Sequence, residues 1–165
     1  MSSNTTTGTL ASQIASDEAV SLHRHVAEKC QIVLETLYDS YNGYKQCADD
    51  CKDTTMKLLF QTIAASRAEF IGQLSNVIQV DLSVEPIKSG SAIAAAHRTW
   101  IDVKTWFTDG RDKSAIAAEV HRGEQILIRF YEVAIEDANI PSKIRDLLAE
   151  QLKQVKEQNL SVDAV

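Results

Sequence analysis

A line of mostly apolar residues runs from Val26 to Cys51, with its members spaced alternately four and three positions apart. The members are Val26, Cys30, Val33, Leu37, Ser40, Tyr44, Cys47 and Cys51. This alternation keeps the side chains on one face of an α-helix and is typical of the seam that a helix presents to a bundle. It predicts a long first helix, with Asp17 as its N-cap.

Similar apolar lines predict the rest of the architecture. Only 6 Gly and 2 Pro interrupt the chain, which favours long helices over a many-turned β fold. The fold class that we predict is all-α, a ferritin-like four-helix bundle with one long crossover that carries a short extra helix. The bundle occupies residues 17–160, and residues 1–16 are a Ser/Thr-rich tail predicted to be disordered. The predicted helices are about 18–51, 54–79, 91–107, 112–138 and 141–159.

The charge and composition of the chain argue against several classes of binding partner. The net charge is −6 and the isoelectric point about 5.2, so phosphate backbones and anionic lipid are repelled, and we expect no nucleic-acid partner. No run of 18 apolar residues is present, so we expect no membrane insertion. The first twenty residues lack the charged and apolar regions of a secretory signal, which favours the cytoplasm. No motif indicates a small-molecule substrate.

The sequence lacks a complete catalytic or metal signature. A di-iron bundle needs Glu-x-x-His, and here only the reversed spacing occurs, for example from His121 to Glu124. Arg67 stands in the apolar line of the second helix, where a cation opposes metal binding. We therefore expect no metal, no cofactor and no enzyme activity, and a structural ion-pair network in which Glu124 meets Arg67 or Arg98. A metal-binding or stress protein is the alternative, with the candidate ligands Glu28, Glu69, Glu119, His121 and Glu124.

The three cysteines leave several roles open. Cys30, Cys47 and Cys51 all lie on the apolar line of the first helix, where a free thiol behaves as a small buried hydrophobe. Cys47 and Cys51 are poorly placed to bridge each other within one helix. If they are oxidised, we expect them to pair with Cys30 or with a cysteine of another chain, and metal binding is the remaining role.

The remaining candidate functional residues are aromatic residues and histidines. Tyr38, Tyr41, Trp100 and Trp106 serve either core packing or an oligomer face. The four histidines are candidate pH sensors, because their protonation moves the net charge from −6 toward −2 and weakens self-repulsion. We therefore expect acid pH to favour assembly; otherwise they are ordinary surface residues. They are His23, His25, His97 and His121.

Residues 43–50 form the run Gly43-Tyr44-Lys45-Gln46-Cys47-Ala48-Asp49-Asp50. This run resembles the GY-x-x-AA-x-D stretch of a bacterial family of ferritin-like four-helix-bundle proteins, DUF2383. Other marks follow in the family's order, and the likeness covers roughly residues 28–158. They are Arg67 to Phe70, the Ala-His-Arg-Thr-Trp run at 96–100, Lys104, Arg122-Gly123-Glu124 and Tyr131.

The chain departs from that family in its polar N-terminal extension and in Cys47, which stands where the family prefers a small residue. This combination resembles the fungal branch called OCTIN, whose members form dense vacuolar crystals that act as gravity sensors. The resemblance implies a self-assembling structural protein whose partner is itself, stored as a vacuolar inclusion.

Overall fold

The computed structural model describes residues 5–90, 100, 103–108 and 112–164, and within these ranges the chain is helical without any strand. Four of the helices are long and one is short. They are α1 (Thr5–Asp50), α2 (Thr54–Val80), α3 (Val103–Thr108), α4 (Lys113–Glu136) and α5 (Ser142–Ser161), followed by a 3-10 turn at Val162–Ala164.

The long helices pack in a closed ring. Helix α1 lies along α2 and α4, α4 lies along α5, and α5 returns to contact α2. Short α3 packs on α1. This cyclic set of neighbours fits a four-helix bundle, in which each helix turns one apolar face to a shared core.

Local chemistry explains where the helices begin. The Asp53 side chain accepts a hydrogen bond from the Met56 backbone N–H at 2.9 Å, and Asp112 accepts one from Ala115 at 2.8 Å. Each carboxylate satisfies a donor that the first helical turn leaves without a partner. The observed bounds of α2, α4 and α5 lie within two residues of those expected.

The start of the first helix differs from expectation. Helix α1 is continuous through Asp17, which therefore is not its N-cap, and residues 5–16 are helical where the sequence predicts a disordered tail. The physical reason is that a packed helix already supplies the nucleus, and adding further turns costs little where no proline intervenes. Residues 8–24 nevertheless remain exposed.

The predicted third helix is described only in part. Its C-terminal portion is α3, whereas residues 91–99, 101 and 102 lie outside the described ranges. The predicted candidates His97 and Arg98 and the side chain of Trp106 also lie outside them.

The core consists of two apolar clusters, one toward each end of the bundle. The first is built around Leu34, Leu74, Leu127 and Leu148, and the second around Tyr44, Phe60 and Val120. Between them, on all four long helices, the apolar pattern is interrupted by polar residues. None of the described helices is long and apolar enough to cross a membrane.

Candidate functional site

A buried polar layer separates the two apolar clusters, and each long helix contributes one side chain that is hydrogen-bonded within it. These side chains are Ser40 from α1, Arg67 from α2, Glu124 from α4 and Gln158 from α5. Ser40, Arg67 and Glu124 each stand between apolar core residues of their own helix, such as Leu37 and Tyr44 around Ser40.

Arg67 and Glu124 form the centre of the layer, and neither side chain has any exposed surface. Arg67 Nη2 donates to Glu124 Oε2 at 2.6 Å, and Arg67 Nε donates to Ser40 Oγ at 3.1 Å. The third guanidinium nitrogen, Nη1, donates to Gln158 Oε1 at 2.6 Å. Ser40 Oγ in turn donates to Glu124 Oε1 at 2.5 Å. Every guanidinium nitrogen and both carboxylate oxygens therefore have a partner.

The surroundings keep the Arg67 guanidinium charged. Burial alone would lower the pKa of Arg67, but the negative charge of Glu124 overrides it and raises the pKa above its ordinary value. The guanidinium carbon lies 5.7 Å from the centre of the Tyr44 ring and 5.8 Å from that of Phe70. Both distances are within the range of cation–π attraction. The ion pair at the centre of the layer is thus hydrogen-bonded at every nitrogen and oxygen and has no exposed surface, an arrangement suited to fixing the register of the helices.

Trp100 closes the layer on one side. Its ring lies against Tyr44, with ring centres 5.4 Å apart. A Cβ atom added at Gly43 of α1 would lie 2.2 Å from the Trp100 ring, and one added at Gly123 of α4 would lie 2.5 Å from it. Trp100 therefore wedges between α1 and α4 at two positions where only glycine leaves room.

The sequence anticipated part of this layer. Of the two expected partners for Glu124, the structure provides Arg67, and Arg98 lies outside the described residues. It did not anticipate Gln158, nor the space beside Gly43 and Gly123 that holds the Trp100 ring, which we call the glycine slot. A signal for the layer was present, since Ser40 and Arg67 each interrupt an apolar line.

Most of the candidate metal ligands of the alternative interpretation are engaged elsewhere. Glu124 binds Arg67, Glu119 binds Arg122 at 2.6 Å, and Glu69 accepts a hydrogen bond from Gln73, while Glu28 is exposed. Within the described part of the chain, no group of three His, Cys, Asp or Glu side chains is close enough to hold a metal ion.

All three cysteines are buried as free thiols. Burial raises the pKa of Cys30 to about 11 and raises that of Cys47 further, so neither forms a reactive thiolate near neutral pH. Cys51 donates to the Asp53 carbonyl across 3.5 Å. This placement corresponds to the core role, and a bridge between chains would require the bundle to open first.

The aromatic candidates also face inward. Trp100 is 7% exposed and belongs to the core, while Tyr38 and Tyr41 are half-buried at its edge. This arrangement leaves Trp100 unavailable to an interface.

The described histidines each contact an oxygen of another element. His23 Nε2 lies 2.6 Å from the Leu82 carbonyl oxygen, and His25 Nε2 lies 2.5 Å from Asp137 Oδ2. His121 lies between two oxygens, those of Asn159 at 2.7 Å and Asp163 at 2.6 Å. These contacts tie α1 to the segments after α2 and α4, and α4 to the C-terminal end of α5.

The N-terminal half of α1 is exposed, in contrast to the buried polar layer. Residues 8–24, which we call the projecting helix, are all exposed, whereas burial begins at Val26. Four of the eight large hydrophobic side chains that are exposed in the described residues lie here: Leu10, Ile14, Val20 and Leu22. The projecting helix therefore concentrates apolar surface that the chain itself does not cover.

Comparison with known proteins gives one match. A family described as a domain of unknown function, DUF2383, matches residues 25–137. No curated protein matches the chain, and no solved structure does. The match begins where burial of α1 begins and includes Arg67, Glu124, Trp100 and both glycines beside it. Because it covers more than half of the 165 residues, the chain belongs to the DUF2383 family.

Proposed function

We propose that this protein is a non-enzymatic, self-assembling structural protein whose projecting helix joins copies into higher-order oligomers. The observation that carries this proposal is the exposed apolar surface of residues 8–24, where Leu10 and Ile14 are 59% and 55% exposed. Exposed apolar residues grouped on one element indicate an interaction site, whereas scattered ones do not.

The bundle supplies the rigid body of such an assembly. We infer a ferritin-like topology, with the long connection between α2 and α4 as the crossover. The bundle core, where ferritin-like proteins hold metal, contains the Arg67–Glu124 pair, which supports a structural role over the metal-binding alternative. Elemental analysis of the purified protein tests this choice, and a stoichiometric transition metal would favour the alternative.

The finer form of the proposal concerns the assembled state. The polar extension and Cys47 resemble the crystal-forming fungal branch, so we propose that the assembly is a dense protein crystal, held in a vacuole and used as a sedimenting gravity sensor. A closed oligomer becomes a lattice when one further contact extends beyond its symmetry. Electron microscopy of inclusions in cells of the source organism, with labelled antibody, tests this form.

The test of self-assembly is light scattering of the full-length protein over a concentration series, at pH 7.5 and pH 5.5, with and without reductant. We expect oligomers whose mass increases with concentration and is greater at pH 5.5, because histidine protonation reduces the net negative charge. Oligomers that persist in reductant would agree with the buried thiols. Particles that dissolve on reduction would instead assign assembly to intermolecular disulfides.

Ile14→Asp and Leu160→Asp form a matched pair of variants for the same measurement. Both replace a large exposed hydrophobic residue by a carboxylate, but Leu160 lies on α5, away from the projecting helix. We expect only Ile14→Asp to reduce the oligomer mass. An equal loss in both variants would contradict the assignment to the projecting helix.

A further inference from the structure

A groove continues from the projecting helix along the outer face of α1. It encloses about 630 Å³, and its apolar floor is formed by Val20, Ala27 and Ile32 of α1 together with Val84 of the segment after α2. Arg24 and Glu28 stand among its polar residues. The groove thus combines an apolar floor with charged side chains.

Helical spacing places residues of the projecting helix on the same face. Leu10, Ile14, Asp17, Ser21, Arg24 and Glu28 follow one another at alternating intervals of four and three. Such a line runs straight along one side of a helix. Two apolar residues and an acidic residue therefore precede the groove, and a basic residue stands within it.

We propose that this face binds the same face of a second copy, with the two α1 helices antiparallel and centred between Val20 and Ser21. Ile14 of each copy then lies over Ala27 of the other, and Leu10 lies over Gln31 beside Ile32. Asp17 of each copy lies opposite Arg24 of the other. This proposal rests on the proposed self-assembly and names its first contact.

Charge selects this arrangement over the parallel one. In a parallel pair in register, Asp17 would face Asp17 and Arg24 would face Arg24, and like charges repel. In the antiparallel pair, both ion pairs form and no two acidic residues face each other, since Glu28 lies opposite Gln13. Both Asp17 and Arg24 are exposed, so they are available for the contact.

The geometry of the contact is self-complementary. Residues 10–31 span roughly 33 Å at 1.5 Å per residue, and every pairing occurs twice about the twofold axis. The two bundles extend in opposite directions from the centre. The contact closes a dimer, and a lattice requires a second contact elsewhere.

Charge reversal in the full-length protein tests the register, with dimer affinity measured by sedimentation equilibrium. Asp17→Arg gives a copy with two basic residues, and Arg24→Asp gives one with two acidic residues. Each variant alone should dimerise at least tenfold more weakly than the wild type. Mixed in equal amounts, they should form a heterodimer of wild-type affinity, because both cross pairs are then of opposite sign.

The double variant Asp17→Arg/Arg24→Asp should also recover the homodimer. Asp146→Arg and Arg129→Asp make the same charge changes on exposed positions of α5 and α4, and we expect neither to complement the other. Far-UV circular dichroism of each variant checks that the helices are retained.

The outcomes distinguish a failure of the antiparallel register from a failure of self-assembly itself. Self-association that persists in both single variants, or a mixture no tighter than either component, would overturn the antiparallel register and leave the proposed function standing. A wild-type protein that stays monomeric at every concentration would overturn both.

Discussion

The two halves of α1 belong to one helix but have opposite surroundings. From Val26 to Cys51 the apolar line is buried, and the polar Ser40 within it is hydrogen-bonded to both members of an ion pair. From Gly8 to Arg24 the side chains are exposed, and Leu10 and Ile14 face away from the bundle core. The apolar line of the C-terminal half is covered within one chain, whereas the apolar residues of the N-terminal half are exposed.

The difference shows that helical structure and tertiary stability come from separate sources. An isolated helix of about 12–15 residues is marginal in water, and most helical stability in proteins comes from packing an apolar face. The packed half of α1 supplies the nucleus from which the projecting helix extends. Substitutions in the two halves should therefore affect different quantities, the free energy of unfolding in one case and the affinity between copies in the other.

The largest expected effect is that of breaking the Arg67–Glu124 pair. Glu124→Leu removes the carboxylate and leaves the Arg67 cation buried without a counter-charge, which should lower the free energy of unfolding by about 3–5 kcal/mol. Urea denaturation followed by circular dichroism measures the loss. Asp17→Asn, in the projecting helix, should change the same quantity by less than about 0.5 kcal/mol because that residue is exposed.

The double variant Arg67→Met/Glu124→Leu sharpens this prediction. Replacing both charges by apolar side chains of similar volume removes the uncompensated charge, so much of the lost stability should return. A double variant no more stable than Glu124→Leu would show that the layer acts through packing and not through charge.

The glycine slot around Trp100 gives the next largest effect. Gly43→Ala places a methyl group 2.2 Å from atoms of the Trp100 ring, which forces the ring or α1 to shift. Overpacking of this kind costs about 1–3 kcal/mol. Thermal denaturation of Gly43→Ala and Gly123→Ala, together with Trp fluorescence, measures the loss and the displacement.

Gly72→Ala is the matched control for that slot. Gly72 lies within α2, and a Cβ atom added there meets no atom within 4 Å. Alanine favours a helix over glycine by roughly 0.5–1 kcal/mol, so this variant should be more stable than the wild type. A loss of stability in Gly72→Ala similar to that in Gly43→Ala would contradict the steric explanation.

The sequence carried much of the fold because its periodic apolar lines and its caps are local signals. Helices α2 and α4 begin within one residue of the predicted positions, and Arg67 meets a carboxylate, as its place in an apolar line requires. The contacts across the bundle could not be predicted from the sequence. Gln158 is separated from Arg67 by 91 residues, and only the packing of α5 on α2 brings them together.

Two other features could not be predicted from the sequence, each for a different reason. Composition indicated a disordered tail because Ser and Thr dominate residues 1–16, but helix extension from a packed nucleus depends on the residues that follow. The role of Trp100 depends on Gly43 and Gly123, which lie on two helices far apart in the chain. A glycine within a helical line indicates close approach without naming the group that approaches.

In contrast to the projecting helix, the turn at the C-terminal end of the chain is held against α4 by contacts of His121. The two ring nitrogens of His121 on α4 face oxygens of Asn159 and Asp163, so the doubly protonated ring donates to both. Burial opposes that charge, but the hydrogen bonds to Asp163 and Asn159 raise the pKa of His121 above its ordinary value of 6.5.

The smallest predicted effect follows from that shift. Because the folded-state pKa is raised, the stabilising contribution is fully present below about pH 6.5 and is lost as the pH rises through the folded-state value. Comparing the free energies of unfolding of the wild type and His121→Gln should give a gap at pH 5.5 that is absent at pH 8.5. The gap should stay below about 1 kcal/mol, since Asp163 is largely exposed and screened by solvent. A gap that is equal at both pH values would mean that neutral hydrogen bonding, and not the charged ring, holds the C-terminal turn against α4.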